Sequence, residues 1–245
     1  KLWEIIFKIC RIDEEDPISA WQTHKNNLHK RCNYLNQKQF KALKLTSPET
    51  NLTIGLPKDH IWNGGSVVSK NGIEFIPNLP TEEIFTLPHK GQVDGVVKTT
   101  RPILIQGNLV EDITFRFSEG KIVKVSAIIG DEVIKKTIEL DEGARRLGEI
   151  ALVPCSSPIS KTGLLFYNII IDENASSHIA IGGGFRSSLK NGDSLNDEEF
   201  QTAGGNESII HIDFMIGSKD MNVDGIEEDG TAEPVMRNGE WAFRI

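Results

Sequence analysis

The sequence predicts an α+β fold, with N-terminal helices packed on a mostly antiparallel or mixed β-sheet, on three observations. Residues 1–45 carry helical periodicity, residues 46–245 are short β-prone runs broken by Gly, Pro and Asn, and no internal repeat or low-complexity linker separates the two. The economical reading is a single domain over 1–245. In the helical part, Trp3, Ile6, Phe7 and Cys10 follow helical spacing. A second helix is announced by Asp16-Pro17, an acceptor at the cap and a proline at the first helical position. Ile18, Trp21, Leu28, Cys32 and Leu35 then mark an apolar stripe, with Lys25, Asn27, Lys30 and Arg31 outward. Strands are expected at residues 52–56, 66–68, 73–76 and 103–105. Residues 113–117 and 122–125, joined by Ser118-Glu119-Gly120, read as a hairpin. A third helix is expected from Asp131 to about Leu147, followed by strands at 149–153, 164–171, 179–181, 209–216 and 241–245.

A chain of 245 residues is ample for a buried core, and 38% hydrophobic with 25% charged residues is ordinary globular composition. The net charge of −8 argues against nucleic acid or an anionic membrane surface as partner. Cys10, Cys32 and Cys155 are odd in number, far apart and without framework spacing, which fits reduced thiols. No apolar run approaches the roughly 20 residues of a membrane span, and no signal-peptide pattern opens the chain. The expected location is therefore cytoplasmic. The sequence starts at Lys1 without Met, directly in an amphipathic run, and reads as a piece of a longer protein.

Five side chains are competent metal ligands placed where a strand or its end would hold them: Glu83, Glu149, His178, His211 and Asp213. In Ile210-His211-Ile212-Asp213-Phe214, strand alternation puts the apolar residues on one face and projects His211 and Asp213 together from the other, roughly 6.5 to 7 Å apart. A hydrogen-bonded His-Asp pair on a solvated sheet face is the competing reading. His178 ends the polar segment Asp172 to Ser177, which alone would serve as a cap and turn. Glu149 stands at the mouth of a buried strand, where a carboxylate needs a metal or a partner, and Arg145 or Arg146 could be that partner. Pro80 to Thr86 also reads as a turn into a short strand. Together, three carboxylates and two imidazoles without a cysteine suit Zn²⁺, Co²⁺ or Mn²⁺. Charge favours two ions, since +4 balances three carboxylates and a bridging hydroxide, and five ligands are enough if one carboxylate bridges. Such a centre supports hydrolysis. The glycine run Gly182-Gly183-Gly184 lacks the spacing of a phosphate cradle and reads as a tight bend.

The segments Asn78 to Thr86, Arg145 to Glu149, Phe166 to His178, Ile210 to Gly217 and Arg237 to Ala242 resemble the aminopeptidase T / aminopeptidase S family of dinuclear metallo-aminopeptidases. The likeness spans essentially the whole chain, including Asp13 to Trp21 and Tyr34-Leu35-Asn36. It implies that Glu83, Glu149, His178, His211 and Asp213 hold two divalent ions, with Glu149 as the bridge; Glu83 is chosen over Glu82, which is the fallback. The implied activity is removal of N-terminal residues from peptides through a water bridging the two ions. The substrate would be a peptide with a free N-terminus. Glu173 is the candidate catalytic residue, moving the water proton to the leaving amine or holding the substrate ammonium; a turn cap is its plainer role. His89 and Arg186 lie near ligand positions and read as structural. The resemblance further implies a homodimer and an N-terminal domain that is absent from 1–245. Phe185 stands where the family places a tyrosine, a donor whose loss typically costs on the order of 10²–10³ in turnover. Tyr167 is the nearer of the two tyrosines, Tyr34 and Tyr167, that could replace it. A weakly active or silent domain with a structural or dimerisation role, and a different metal hydrolase acting on phosphoesters, are the alternative readings.

Overall fold

A computed structural model describes residues 1–245. Two helices come first, Leu2–Ile9 and Pro17–Lys38. The second begins as its sequence dictates: the Asp16 carboxylate accepts from Ser19 N, Pro17 occupies the first turn, and Gln39 ends it in a left-handed conformation. Leu28, Cys32 and Leu35 are buried as the stripe requires. Ile18, expected on that face, is instead 83% exposed, and Trp21 is half-buried with its indole N–H donated to Cys10 O. The stripe docks only where the sheet reaches it, beyond the first turns. The first helix buries Ile9 and leaves Trp3 and Phe7 exposed, so its expected face is only partly covered.

The β-structure is antiparallel throughout. Eight strands form one sheet in the order Lys121–Ser126, Thr114–Ser118, Val93–Lys98, Thr50–Gly55, Ala42–Ser47, Asn222–Ile226, Ala232–Arg237 and Glu240–Trp241. The 114–118 and 121–126 strands are the expected hairpin, turning at Glu119-Gly120. Four strands form the second sheet in the order His211–Met215, His178–Gly182, Leu147–Leu152 and Ile84–Thr86. Two short hairpins, Val67–Val68 with Glu74–Phe75 and Ile103–Ile105 with Asn108–Val110, complete it. One core of 34 buried residues runs through both sheets, and Phe115 of the large sheet meets Phe214 of the small one edge-on at 5.1 Å. An aromatic pair of this kind adds about 0.5–1.5 kcal/mol to its burial. A satellite cluster of Ile9, Cys10, Ile159 and Ala175 ties the first helix to the segment that precedes His178.

Four expectations need correction. The third helix stops at Thr137 rather than near Leu147. The Asp141 carboxylate accepts from Ala144 N, Ile209 N and Ser208 Oγ, drawing residues 143–145 into a separate 3₁₀ turn, and Leu147 already belongs to a strand. The run 164–171 is not a strand: the buried Asp172 carboxylate accepts from Phe166 N and Asn168 N, and the chain coils into the helix Ile169–Asp172 and a 3₁₀ turn Glu173–Ala175. The last strand is limited to Glu240–Trp241, after which Phe243 stacks on Tyr34 at 4.0 Å. The first strand begins at Ala42, inside the stretch expected to be helical.

Candidate metal centre

The small sheet brings the candidate ligands together by register. Because side chains alternate, Glu149 and Ala151 share one face of their strand, as do His178, Ala180 and Gly182 on the next, and His211 and Asp213 on the third. Glu149 pairs with Ala180, which pairs with Asp213; Ala151 pairs with His178, and Gly182 with His211. The small residues between the functional ones leave space over the sheet, while Ile150, Leu152, Ile179, Ile181 and Phe214 fill the opposite face in the core. Glu149 lies inside the strand Leu147–Leu152 rather than at its mouth, just past a register shift between Leu147 and Glu149. Gly148 is required there: a Cβ would stand 2.3 Å from Gly183 O. Gly182, at φ +103, allows the bend that follows the His178 strand, and a Cβ on it would meet Ile210 O at 2.0 Å.

The five groups converge. His178 Nε2 stands 3.0 Å from Glu83 Oε2 and 3.4 Å from Glu149 Oε1, and His211 Nε2 stands 3.7 Å from Glu149 Oε2 and 3.4 Å from Asp213 Oδ1. Each Glu149 oxygen thus faces a different imidazole. Two triads result, Glu83–Glu149–His178 and Glu149–His211–Asp213, with candidate ligand atoms in each within 4.8 Å of one another. Both imidazoles are oriented from behind. His178 Nδ1–H donates to Ser176 O at 3.1 Å and His211 Nδ1–H to Gly183 O at 2.7 Å, so Nε2 of each faces the carboxylates. Asp213 and Glu149 are buried, which excludes the solvated His-Asp pair, and Arg145 and Arg146 turn to Glu139 and Glu142 instead of Glu149.

The electrostatics are those of crowded acids. Burial, reinforced by the charges of Glu83 and Asp213 and partly offset by His178, pushes the Glu149 carboxyl up to about 7. Burial and the charges of Glu83, Asp213 and Glu149 push Glu173 up to about 9, with His178 opposing. Burial alone would lower both imidazoles. Glu149 and Glu83 outweigh it at His178, which is raised, and Asp213 and Glu149 outweigh it at His211, which stands at about 9. Glu83 Oε2 is buried and, despite its proximity to His178, has no hydrogen bond of acceptable geometry. A buried carboxylate oxygen without a donor, facing an imidazole nitrogen, fits a cation between them.

A cavity of about 480 Å³ opens onto the cluster. Glu83, Glu149, His211 and Asp213 line it, together with Glu173 and an apolar wall of Phe85, Phe185, Ile169 and Ile170; no lysine or arginine does. Phe185 packs 4.9 Å from the His211 ring and 5.8 Å from Phe85. Tyr167 lines a different, smaller cavity, and Tyr34 is bonded to Glu233, so neither stands in for a tyrosine at 185. Arg186 is tied to Asp197 and Glu207, and His89 Nδ1 accepts from Gly91 N. Glu82 points away from the cluster to Arg11. Sequence spacing gave no sign of Phe85, Ile169 and Ile170 as cavity wall, or of Asn174, whose side-chain oxygen accepts from Glu82 N at 2.7 Å.

Buried acids and imidazoles thus gather over one face of the small antiparallel sheet as a donor set suited to divalent cations. The sequence profile of the thermophilic metalloprotease (M29) family matches residues 1–241, and the chain belongs to that family. It is 50% identical over 242 residues to aminopeptidase AmpS of Bacillus subtilis (strain 168), and 50% identical over 243 residues to aminopeptidase T of Thermus aquaticus. Each alignment takes 99% of this chain and 59% of the relative, so the chain spans about 59% of the length of the curated relatives it matches. The solved structure of wild-type AmpT from Thermus thermophilus superposes with a TM-score of 0.91 at 48% identity, over 99% of this chain and 58% of that one.

Proposed function

We propose that the protein is a metal-dependent aminopeptidase in which Glu83, Glu149, His178, His211 and Asp213 hold two divalent ions, Zn²⁺, Co²⁺ or Mn²⁺, with Glu149 between them. The observation that carries this reading is the divided aim of Glu149, one oxygen toward each imidazole at 3.4 and 3.7 Å. Ions bound there would polarise a peptide carbonyl and acidify a water, the chemistry of amide hydrolysis. The chain's own residues supply the rest. His178 and His211, held by Ser176 O and Gly183 O, present Nε2 without further reorganisation. The Glu173 carboxylate takes the proton of the attacking water and passes it to the departing amine nitrogen, so that one amino acid and a shortened peptide are released. The acidic lining receives the ammonium of a free peptide N-terminus, and the apolar wall of Phe85, Phe185, Ile169 and Ile170 keeps bulk water from the reacting carbonyl.

An acidic lining without lysine or arginine disfavours a phosphoester substrate. The test is release of leucine from a short leucyl peptide by chelated protein before and after Zn²⁺ or Co²⁺, beside p-nitrophenyl phosphate. Metal-restored peptide cleavage supports the reading. Phosphatase activity alone would replace it, and metal uptake without cleavage would mark a silent domain. Two further readings rest on the family resemblance and the free cysteines, Cys10, Cys32 and Cys155. They are a homodimer, tested by sedimentation, and a cytoplasmic location, tested by fractionation. No helix is long and apolar enough to cross a membrane.

A further inference from the structure

One buried ion pair lies beside the metal cluster without belonging to it. Arg11 grips Glu82 with both prongs of its guanidinium, Nη1 to Oε1 at 2.5 Å and Nη2 to Oε2 at 3.0 Å, with the two side chains only 15% and 5% exposed. Arg11 sits in a left-handed turn between the two N-terminal helices, φ +54, and its guanidinium lies 5.3 Å from the Trp21 ring centre. Nη2 also donates to His24 Nδ1 at 3.2 Å, which leaves the hydrogen of His24 on Nε2, and that nitrogen donates to Thr81 O at 2.7 Å. On its other side the same loop is fixed by Glu82 N–H donating to Asn174 Oδ1. Asn174 is fully buried, donates to Ile170 O, and its own carbonyl accepts from Ser157 Oγ. Thr81 and Glu82 are thus held by the helices and by the neighbour of Glu173 at once.

We propose that Arg11 is a positioning residue for the metal centre: through Glu82, His24 and Asn174 it fixes the loop that aims Glu83 at His178, and so sets the metal affinity of the Glu83–Glu149–His178 triad. The inference rests on the metal reading given above. A buried charge pair seldom repays its desolvation in stability alone, whereas a rigid fork fixes geometry. Glu82 precedes Glu83 by a single peptide unit. Freeing it releases Glu83 from the imidazole while leaving Glu149, His211 and Asp213, which are held by strand pairing, in place.

The test is a Co²⁺ titration of chelated protein followed by absorption and calorimetry, in the parent, Arg11→Met and Arg11→Lys. Removing an outer partner of a metal ligand typically weakens affinity about 10–100-fold. The expected result is a loss of that size for one of two ions in Arg11→Met, partial recovery in Arg11→Lys, which restores charge without the fork, and an unchanged second ion. Ile122→Ala, which loosens the core at the outermost strand of the large sheet, keeps both affinities and separates positioning from stability. If Arg11→Met does not fold, His24→Ala, which cuts the tether to Thr81, carries the same expectation. A parent that binds two ions and an Arg11→Met or His24→Ala variant that binds both equally well overturns the proposal. A parent that binds none overturns the metal reading first and this inference with it.

Discussion

Metal-free protein should lose stability between pH 7 and 9. Glu173 is pushed up to about 9 by burial and by its acidic neighbours, from an ordinary carboxyl value of 4.5. The folded, metal-free chain therefore holds that proton while the unfolded chain has released it. Its contribution is fully present below about 4.5 and is lost as the pH rises through about 9. One such proton contributes a loss of about 2 kcal/mol between pH 7 and 9, or about 4–8 °C in Tm for a chain of this size. His211, raised to about 9, and His178, also raised, act in the same direction. Outside the cluster, this window silences the other shifted histidines and the thiols. Burial presses His24, His60 and His89 below 6.5, so their contributions are complete above pH 7. The raised thiols of Cys10, Cys32 and Cys155 act only above 9.0. Thermal melts in chelator should fall from pH 7 to 9, and melts with stoichiometric Zn²⁺ should not, because bound ions hold the acids ionised. Glu173→Gln should make the chelated slope shallower, leaving the part due to His178 and His211. Equal slopes with and without Zn²⁺, or a chelated Tm that rises toward pH 9, would refute the reasoning.

Other outcomes follow from the same geometry. Glu149→Ala removes the oxygens shared by both triads and should cost at least one ion per chain by elemental analysis; parental stoichiometry would show that the ligands are misassigned. Phe185→Tyr places a hydroxyl in the cavity beside His211 and should raise kcat up to about 10²-fold with KM little changed; a fall in kcat would show that the apolar wall matters more than the donor. Gly182→Ala forces a Cβ to within 2.0 Å of Ile210 O at a positive φ. It should destabilise by about 1–3 kcal/mol or more in urea unfolding, where a neutral result would contradict the bend described here.

What could be read from the sequence was what strand alternation encodes. His211-Ile212-Asp213 is legible because a period of two fixes which side chains share a face, and the structure keeps them there. Glu149 was legible as a residue but not as a place. Its position inside the strand depends on a register shift at Gly148 and on its partner Ala180, 31 residues away, which pairs in turn with Asp213. The run 164–171 misled because its apolar residues suit a strand, while the Asp172 carboxylate that coils it acts backwards along the chain on Phe166 and Asn168. Glu82 and Glu83 are alike in sequence. Only the guanidinium of Arg11, 71 residues earlier, separates a tethered carboxylate from one that faces the imidazole.

The central claim is that five side chains from four separate segments share two cations. Anomalous diffraction from crystals equilibrated with Zn²⁺, collected on both sides of the zinc edge, tests it most directly. The account predicts two peaks, one among Glu83, Glu149 and His178 and one among Glu149, His211 and Asp213. A map with no peak there at saturating Zn²⁺, or with zinc bound only at other residues, would contradict it.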